Sequence, residues 1–262
     1  MSPRAMRYDL RRISYWSILH HFFPPSLTHL GLQHCPAFVA SNSRGLHDYT
    51  CLGHTIRRVF ALLQNMEDHI TLFVTIHPAS PAKQSTILDY LRRGARGYYR
   101  RPSSHCIAWS YLTPGWSGAE SVLAGLEVYT KKSALQDQIK DTEFFQPYEE
   151  AVAREELYAR KDEMVAWYLA AGFLVRGHDF EKGTGNVAVA VRRLTCRQYE
   201  KDVVVKGLRE FAEFARKTEP RILTFAVFAR KKAEEEVLVY VRYRDYESMR
   251  KFEEGPECQN FW

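Results

Sequence analysis

Gly125-Leu126-Glu127-Val128-Tyr129-Thr130-Lys131-Lys132-Ser133-Ala134-Leu135 lies without a gap over Val239-Tyr240-Val241-Arg242-Tyr243-Arg244-Asp245-Tyr246-Glu247-Ser248-Met249, at a constant offset of 114 residues. Each stretch is a mostly apolar strand that ends on tyrosine and turns through charged residues into a helix. Self-similarity at this distance means that one structural unit occurs twice.

Working outward from the first stretch, Ile70-Thr71-Leu72-Phe73-Val74-Thr75-Ile76-His77 alternates so that Ile70, Leu72, Val74 and Ile76 share a face, and Pro78 closes the strand. Ser80-Pro81 opens a helix to about Arg96, with Ile87, Leu88 and Leu91 turned inward. Strands follow near Cys106 to Thr113 and Val122 to Tyr129. A helix from Lys132 to about Lys140 resumes past Pro147, through Glu149 to Tyr158, and a strand near Met164 to Ala171 ends the unit. The order β-α-β-β-α-β is the ferredoxin-like motif.

The second unit repeats the order: a strand at Val187 to Leu194, a helix at Tyr199 to Lys217 with Val204, Leu208, Phe211 and Ala215 on one stripe, and strands at Ile222 to Ala229 and Val237 to Tyr243. The 114-residue offset places Trp262 over Tyr148, before the position of a fourth strand. The second unit is therefore expected to lack its last strand and to show an open sheet edge, read as truncation or a faulty gene model more than as design. Self-association through that edge is an expectation of this reading.

The fold class is thus α+β, tandem ferredoxin-like units. The organisation is 1–65, a poorly ordered leader or mis-annotated extension; 66–177, the first unit; 178–186, a linker; and 187–262, the second, incomplete unit. Residues 1–65 hold seven Arg, no Lys, two acids and six of the ten His. Three readings stay open for them: a disordered leader, an Arg-rich organelle transit segment, and translated non-coding sequence before a start at Met66. A short helix over Thr55 to Gln64 fits the spacing of Ile56, Phe60 and Leu63.

The chain of 262 residues carries a formal charge of +6, but residues 66–262 hold 30 basic and 29 acidic groups, so the basic excess sits in the leader and speaks against nucleic-acid binding. Every apolar run is interrupted before the roughly 18 residues of a spanning helix, so no membrane partner is expected. The five cysteines are widely spaced, with no CxxC pair, which suits reduced thiols in the cytoplasm; a mitochondrial setting follows if the leader is a transit segment.

A strand followed by Lys-Ser-Ala-Leu at a helix start and by the aromatic pair Phe144-Phe145 resembles the antibiotic biosynthesis monooxygenase domain of the dimeric α/β-barrel superfamily. The resemblance covers residues 66 to 262, and Trp167-Tyr168-Leu169-Ala170-Ala171-Gly172-Phe173-Leu174-Val175-Arg176 is similar to the linker region of two-repeat fungal members. It implies that the two units pack as an intrachain dimeric α/β barrel. It also implies cofactor-independent oxygenation of a hydrophobic aromatic or polyketide-type molecule in secondary metabolism, or a non-catalytic small-molecule-binding or assembly module of the same fold. No Asn of this chain aligns with the one that the anthrone oxidases of the family place at the substrate.

Cofactor-free oxygenation needs a base, a dry apolar cavity and donors for the anion. The candidate catalytic residues are His77 at the end of the first strand, His105 at the opening of the second, and Tyr111. The candidate substrate-binding residues are Trp109, Trp167 and Arg176, with the Arg192-Arg193 pair as a further anion holder. Core packing for the tryptophans, and solvated strand ends for the histidines and arginines, are the competing readings. Tyr129 and Tyr243, duplicated at matching strand ends, read as packing positions. No HExxH, CxxC or carboxylate-His spacing supports a metal, and no cofactor is expected. Gly183-Thr184-Gly185 precedes a strand where a dinucleotide turn must follow one, and Gly115-Trp116-Ser117-Gly118 joins two strands where a nucleophile elbow would open a helix.

Overall fold

The structure is a computed structural model that describes residues 13–18 (backbone only), 69–114, 122–176, 187–197, 199–231 and 235–262. Most of the leader, including the helix expected over Thr55 to Gln64, and the 178–186 linker lie outside the described residues. In chain order the elements are β1 (Ile13–Ile18), β2 (Ile70–Pro78), α1 (Pro81–Gly97), β3 (Cys106–Pro114), β4 (Leu123–Tyr129), α2 (Ser133–Ile139), α3 (Phe145–Arg154) and β5 (Tyr158–Phe173). They continue as β6 (Ala188–Thr195), α4 (Lys201–Thr218), β7 (Ile222–Ala229), β8 (Glu236–Tyr243), α5 (Tyr246–Glu253) and α6 (Pro256–Phe261).

Local chemistry explains the elements. Ser80 caps α1, its hydroxyl accepting from Lys83 N at 3.2 Å, and Pro81 supplies the preset first-turn angle. Ile87, Leu88 and Leu91 are buried as their spacing requires, and so are Val204, Leu208, Phe211 and Ala215 on α4. Each large apolar side chain buried in this way contributes about 1.5–3 kcal/mol.

The strands close a barrel in the order β1-β3-β4-β2-β5-β7-β8-β6, antiparallel at every pairing, with helices on its outer face. Two cores follow from the alternation of strand residues. Ala108, Leu112, Leu126, Val128, Trp167, Val189, Phe228 and Tyr240 belong to the lumenal cluster. The helix side of the second half holds Leu208, Phe211, Phe225, Val241 and Phe252.

Two strands carry the closure. β5 leaves β2 and runs on to pair with β7, and at Gly172, φ +85°, a Cβ would meet the Phe225 carbonyl. β1 occupies the corresponding place on the other side, pairing Ile13 through Ser17 with Arg192 through Ala188 of β6, and Trp16 through Ile18 with Pro114 through Leu112 of β3.

The open edge expected for the second unit is therefore corrected: that unit ends after β8 and its helices, but a strand from the N-terminal segment takes its vacant edge. The association surface inferred from that edge is removed with it, and residues 13–18 are part of the barrel instead of a leader. A second correction concerns 155–163. The helix ends at Arg154 and β5 begins at Tyr158, because the charged run Arg160 to Glu163 forms the largely solvent-facing start of a long strand instead of a helix end.

Candidate functional site

Two strands, β3 and β4, and the exit of α1 bring one carboxylate into the space beneath the helices of the first half. On β4, Ala124, Leu126 and Val128 point into the lumen, so Gly125, Glu127 and Tyr129 point the other way. Glu127 is only 7% exposed. α1 ends at Gly97, Tyr98 and Tyr99 follow directly, and a short 3₁₀ turn over Pro102–Ser104 leads into β3, tied by Ser104 Oγ to the Tyr99 carbonyl at 3.3 Å. This delivers Tyr99 from above, while β3 supplies Trp109 and Tyr111 on its helix-facing side.

The geometry is a closed circuit. Tyr99 donates to Glu127 Oε1, Tyr111 reaches the same oxygen at 3.2 Å, and the Tyr99 and Tyr111 hydroxyls are 2.8 Å apart. Tyr129 donates to Glu127 Oε2 at 2.6 Å and also meets the side-chain oxygen of Gln138 from α2. Gln138 Nε2 donates to Tyr99 Oη at 3.2 Å and to Glu127 Oε2 at 3.4 Å. Gly125 lies opposite Tyr111 in register, and a Cβ there would come 3.2 Å from the Tyr111 ring, so the missing side chain lets the ring lie across the strand. Trp109, half-buried, stacks on Tyr99 at 5.5 Å between centroids, and Phe145 closes the edge of Tyr99 at 5.8 Å.

Burial, and after it the charge of Glu127, hold the Tyr99, Tyr111 and Tyr129 phenols above their ordinary range. They keep their protons at neutral pH and act as donors. Among the described residues no cation pairs with Glu127. Burial likewise pushes the nearby Cys106 thiol up, so it is not a ready nucleophile.

Of the candidate catalytic and substrate-binding residues, Tyr111 and Trp109 sit in this cluster and the others do not; Tyr129 and Tyr243, read from sequence as packing positions, instead donate to the buried carboxylates of Glu127 and Glu253. Trp167 is in register with Thr71 and lies in the lumen, on the opposite side of the sheet from Trp109. His77 is at the far end of β2, five residues beyond the position opposite Glu127, about 16 Å at the usual strand rise. Its imidazole there meets Arg160 at 2.8 Å.

His105, φ +53°, turns the chain into β3, and among the described residues no hydrogen bond joins its imidazole to the cluster. Arg176 donates to the carbonyls of Ala215, Arg216, Glu219 and Ile222, capping the C-terminal end of α4, so four of its five N–H donors are committed to backbone and its fork is not free to clamp a substrate anion. Arg192 forms a buried ion pair with Glu253, and Arg193 pairs with Glu236. Sequence reasoning passed over Glu127, Tyr99 and Gln138. The available signal was a single acid in an otherwise apolar strand whose counterpart at the repeat offset is Val241.

Among the described residues no group of three or more His, Cys, Asp and Glu is placed to hold a metal, and no helix is long and apolar enough to cross a membrane.

No protein-family model and no curated protein matches the sequence. Solved structures do. A protein from Lactobacillus acidophilus NCFM, described as a proposed monooxygenase, matches with a TM-score of 0.60 at 11% identity over 74% of this chain and 86% of that one. A second proposed monooxygenase, from Fusobacterium nucleatum, matches with a TM-score of 0.59 at 8% identity over 74% of this chain and 84% of its own. At these identities the likeness is one of fold, and it places the chain with α+β proteins of this barrel architecture.

Proposed function

We propose that the protein is a cofactor-independent monooxygenase acting on a hydrophobic aromatic or polyketide-type small molecule, with Glu127 as its base. The observation that carries the reading is the Glu127 carboxylate itself, buried among three phenols with no cation beside it among the described residues. A general base must sit within hydrogen-bond reach of the proton it removes, in a place from which water is excluded. Glu127 takes a proton from an activated methylene or phenol, and the resulting anion is the reductant of dioxygen. A methylene and dioxygen give a carbonyl and water, so the electrons balance without an external donor. Tyr99 and Tyr111, held protonated, stabilise the developing oxyanion. Trp109 offers a ring surface, and the likeness in fold to two proposed monooxygenases supports the same reading. A cytoplasmic role in secondary metabolism belongs to this proposal.

One observation favours a second reading, a non-catalytic small-molecule-binding or assembly module: the hydroxyls of the cluster are satisfied from within it. Oxygen-electrode measurements on the full chain with a hydroxylated anthrone, without added metal or flavin, separate the two. The enzyme gives uptake equimolar with the anthrone consumed. Uptake at the uncatalysed rate, together with a ligand-induced rise in melting temperature, establishes the binding module instead.

A further inference from the structure

The lumen of the barrel, on the other side of the sheet from Glu127, ends in a polar group that the proposed function does not use. Thr71 on β2 and Trp167 on β5 face each other in register, and each is 1% exposed. Neither Thr71 Oγ1 nor Trp167 Nε1 has a hydrogen-bond partner among the described residues. Directly opposed antiparallel residues hold their Cβ atoms about 4.5–5.5 Å apart, so the two side chains line the same stretch of the lumen wall. Buried polar groups are nearly always paired, and an indole nitrogen is a donor only, so what completes this pair is an acceptor.

The charge at this end of the lumen selects among acceptors. The guanidinium of Arg193, at the end of β6, lies 6.0 Å from the centroid of the Trp167 ring. Arg193 and Arg230 both pair with Glu236, so two cations share one carboxylate, and a positive charge is left over at the mouth. Two uncharged donors beneath a surplus cation suit a negative ion better than a water molecule.

We propose that this end of the lumen binds a small monovalent anion, a halide or the carboxylate of a short-chain acid, with Trp167 Nε1 and Thr71 Oγ1 as donors and Arg193 as counter-charge. The site is separate from the Glu127 cluster and stands whether or not that cluster is catalytic.

The test is thermal melting of the full chain in sodium bromide, sodium formate and sodium gluconate at equal ionic strength. Bromide or formate should raise the melting temperature saturably over gluconate, by about 3–6 °C well above the dissociation constant. The rise should vanish in Trp167→Phe and shrink in the isosteric Thr71→Val. A larger effect of bromide assigns the site to halide, and a larger effect of formate assigns it to a carboxylate. Equal melting in all three salts, or an undiminished rise in Trp167→Phe, overturns the proposal. Crystals grown in bromide give an answer independent of how the variants fold: an anomalous peak beside Trp167 Nε1 supports the site, and an ordered water in its place refutes it.

Discussion

Among the described residues the two halves of the barrel bury one carboxylate each beneath their helices, and they treat it in opposite ways. In the first half Glu127 rises from the strand itself and is held by phenols. In the second, Glu253 descends from α5 onto Arg192, whose guanidinium also lies 4.9 Å from the Trp262 ring. The matched tyrosines do the same work in both, Tyr129 donating to Glu127 at 2.6 Å and Tyr243 to Glu253 at 2.5 Å. Where Glu127 stands in the first half, the repeat offset gives Val241, part of an apolar core filled by Phe211, Phe252 and Phe261. A charge neutralised by its own counter-ion is scaffold. A charge met by neutral donors, three phenols and the Gln138 amide, has no counter-ion beside it among the described residues.

The sharpest way to break this contrast is to remove the cation. Arg192→Leu leaves Glu253 buried without its partner and is expected to cost about 3–5 kcal/mol in urea unfolding. Glu127→Gln takes away a charge with no cationic partner among the described residues but also weakens the hydrogen bonds from Tyr99, Tyr111 and Tyr129, and should cost about 1–2 kcal/mol, less than Arg192→Leu. Equal losses in the two variants would erase the distinction.

The tyrosines come next. Tyr129→Phe and Tyr243→Phe each remove a donor to a carboxylate, and each is expected to cost about 1.5–3 kcal/mol by the same assay, since both are buried and nothing replaces the hydroxyl.

High pH gives a further comparison. Burial and the neighbouring carboxylates raise the phenols of Tyr99 and Tyr111 in the first half and of Tyr243 in the second. The folded chain keeps protons that the unfolded chain releases near pH ~10, so this contribution is intact below that pH and is lost as the pH rises beyond it. A pH series of unfolding midpoints should fall less steeply on the alkaline side in Tyr99→Phe and Tyr111→Phe. The smallest effect is expected at the exposed Lys251–Glu247 pair on α5, where Lys251→Ala should change stability by about 0.5 kcal/mol or less.

How much of this was legible in the sequence depended on whether the signal was local. The strands β2, β4, β7 and β8 and the buried stripes of α1 and α4 follow from periodicity, and so does the shared face of Trp109 and Tyr111. β1 did not, because six residues in an Arg- and His-rich segment carry little pattern of their own and gain meaning only from pairing with β6 and β3. The start of β5 was hidden for a related reason: Arg160 to Glu163 are charged because that end of the strand largely faces solvent.

Trp167 and Trp109 look alike in sequence, yet the register of β5 on β2 turns one into the lumen while β3 turns the other toward the helices. Tyr99 could not be chosen without the 3₁₀ turn that folds the end of α1 over β3. Arg176 looked like an anion clamp because nothing local reveals the α4 carbonyls that it caps. Glu127 was in plain view, and its difference from Val241 across the repeat was the clue.

The central claim is that Glu127 acts on a substrate, and it is tested most directly by comparing anthrone-dependent oxygen uptake in the parent chain and in Glu127→Gln, with melting curves recorded on the same samples. The parent chain should consume oxygen, and the variant should lose at least about 10²-fold of the rate while its melting temperature falls by only a few degrees. An active variant would contradict it, and so would a parent chain that binds the anthrone without consuming oxygen.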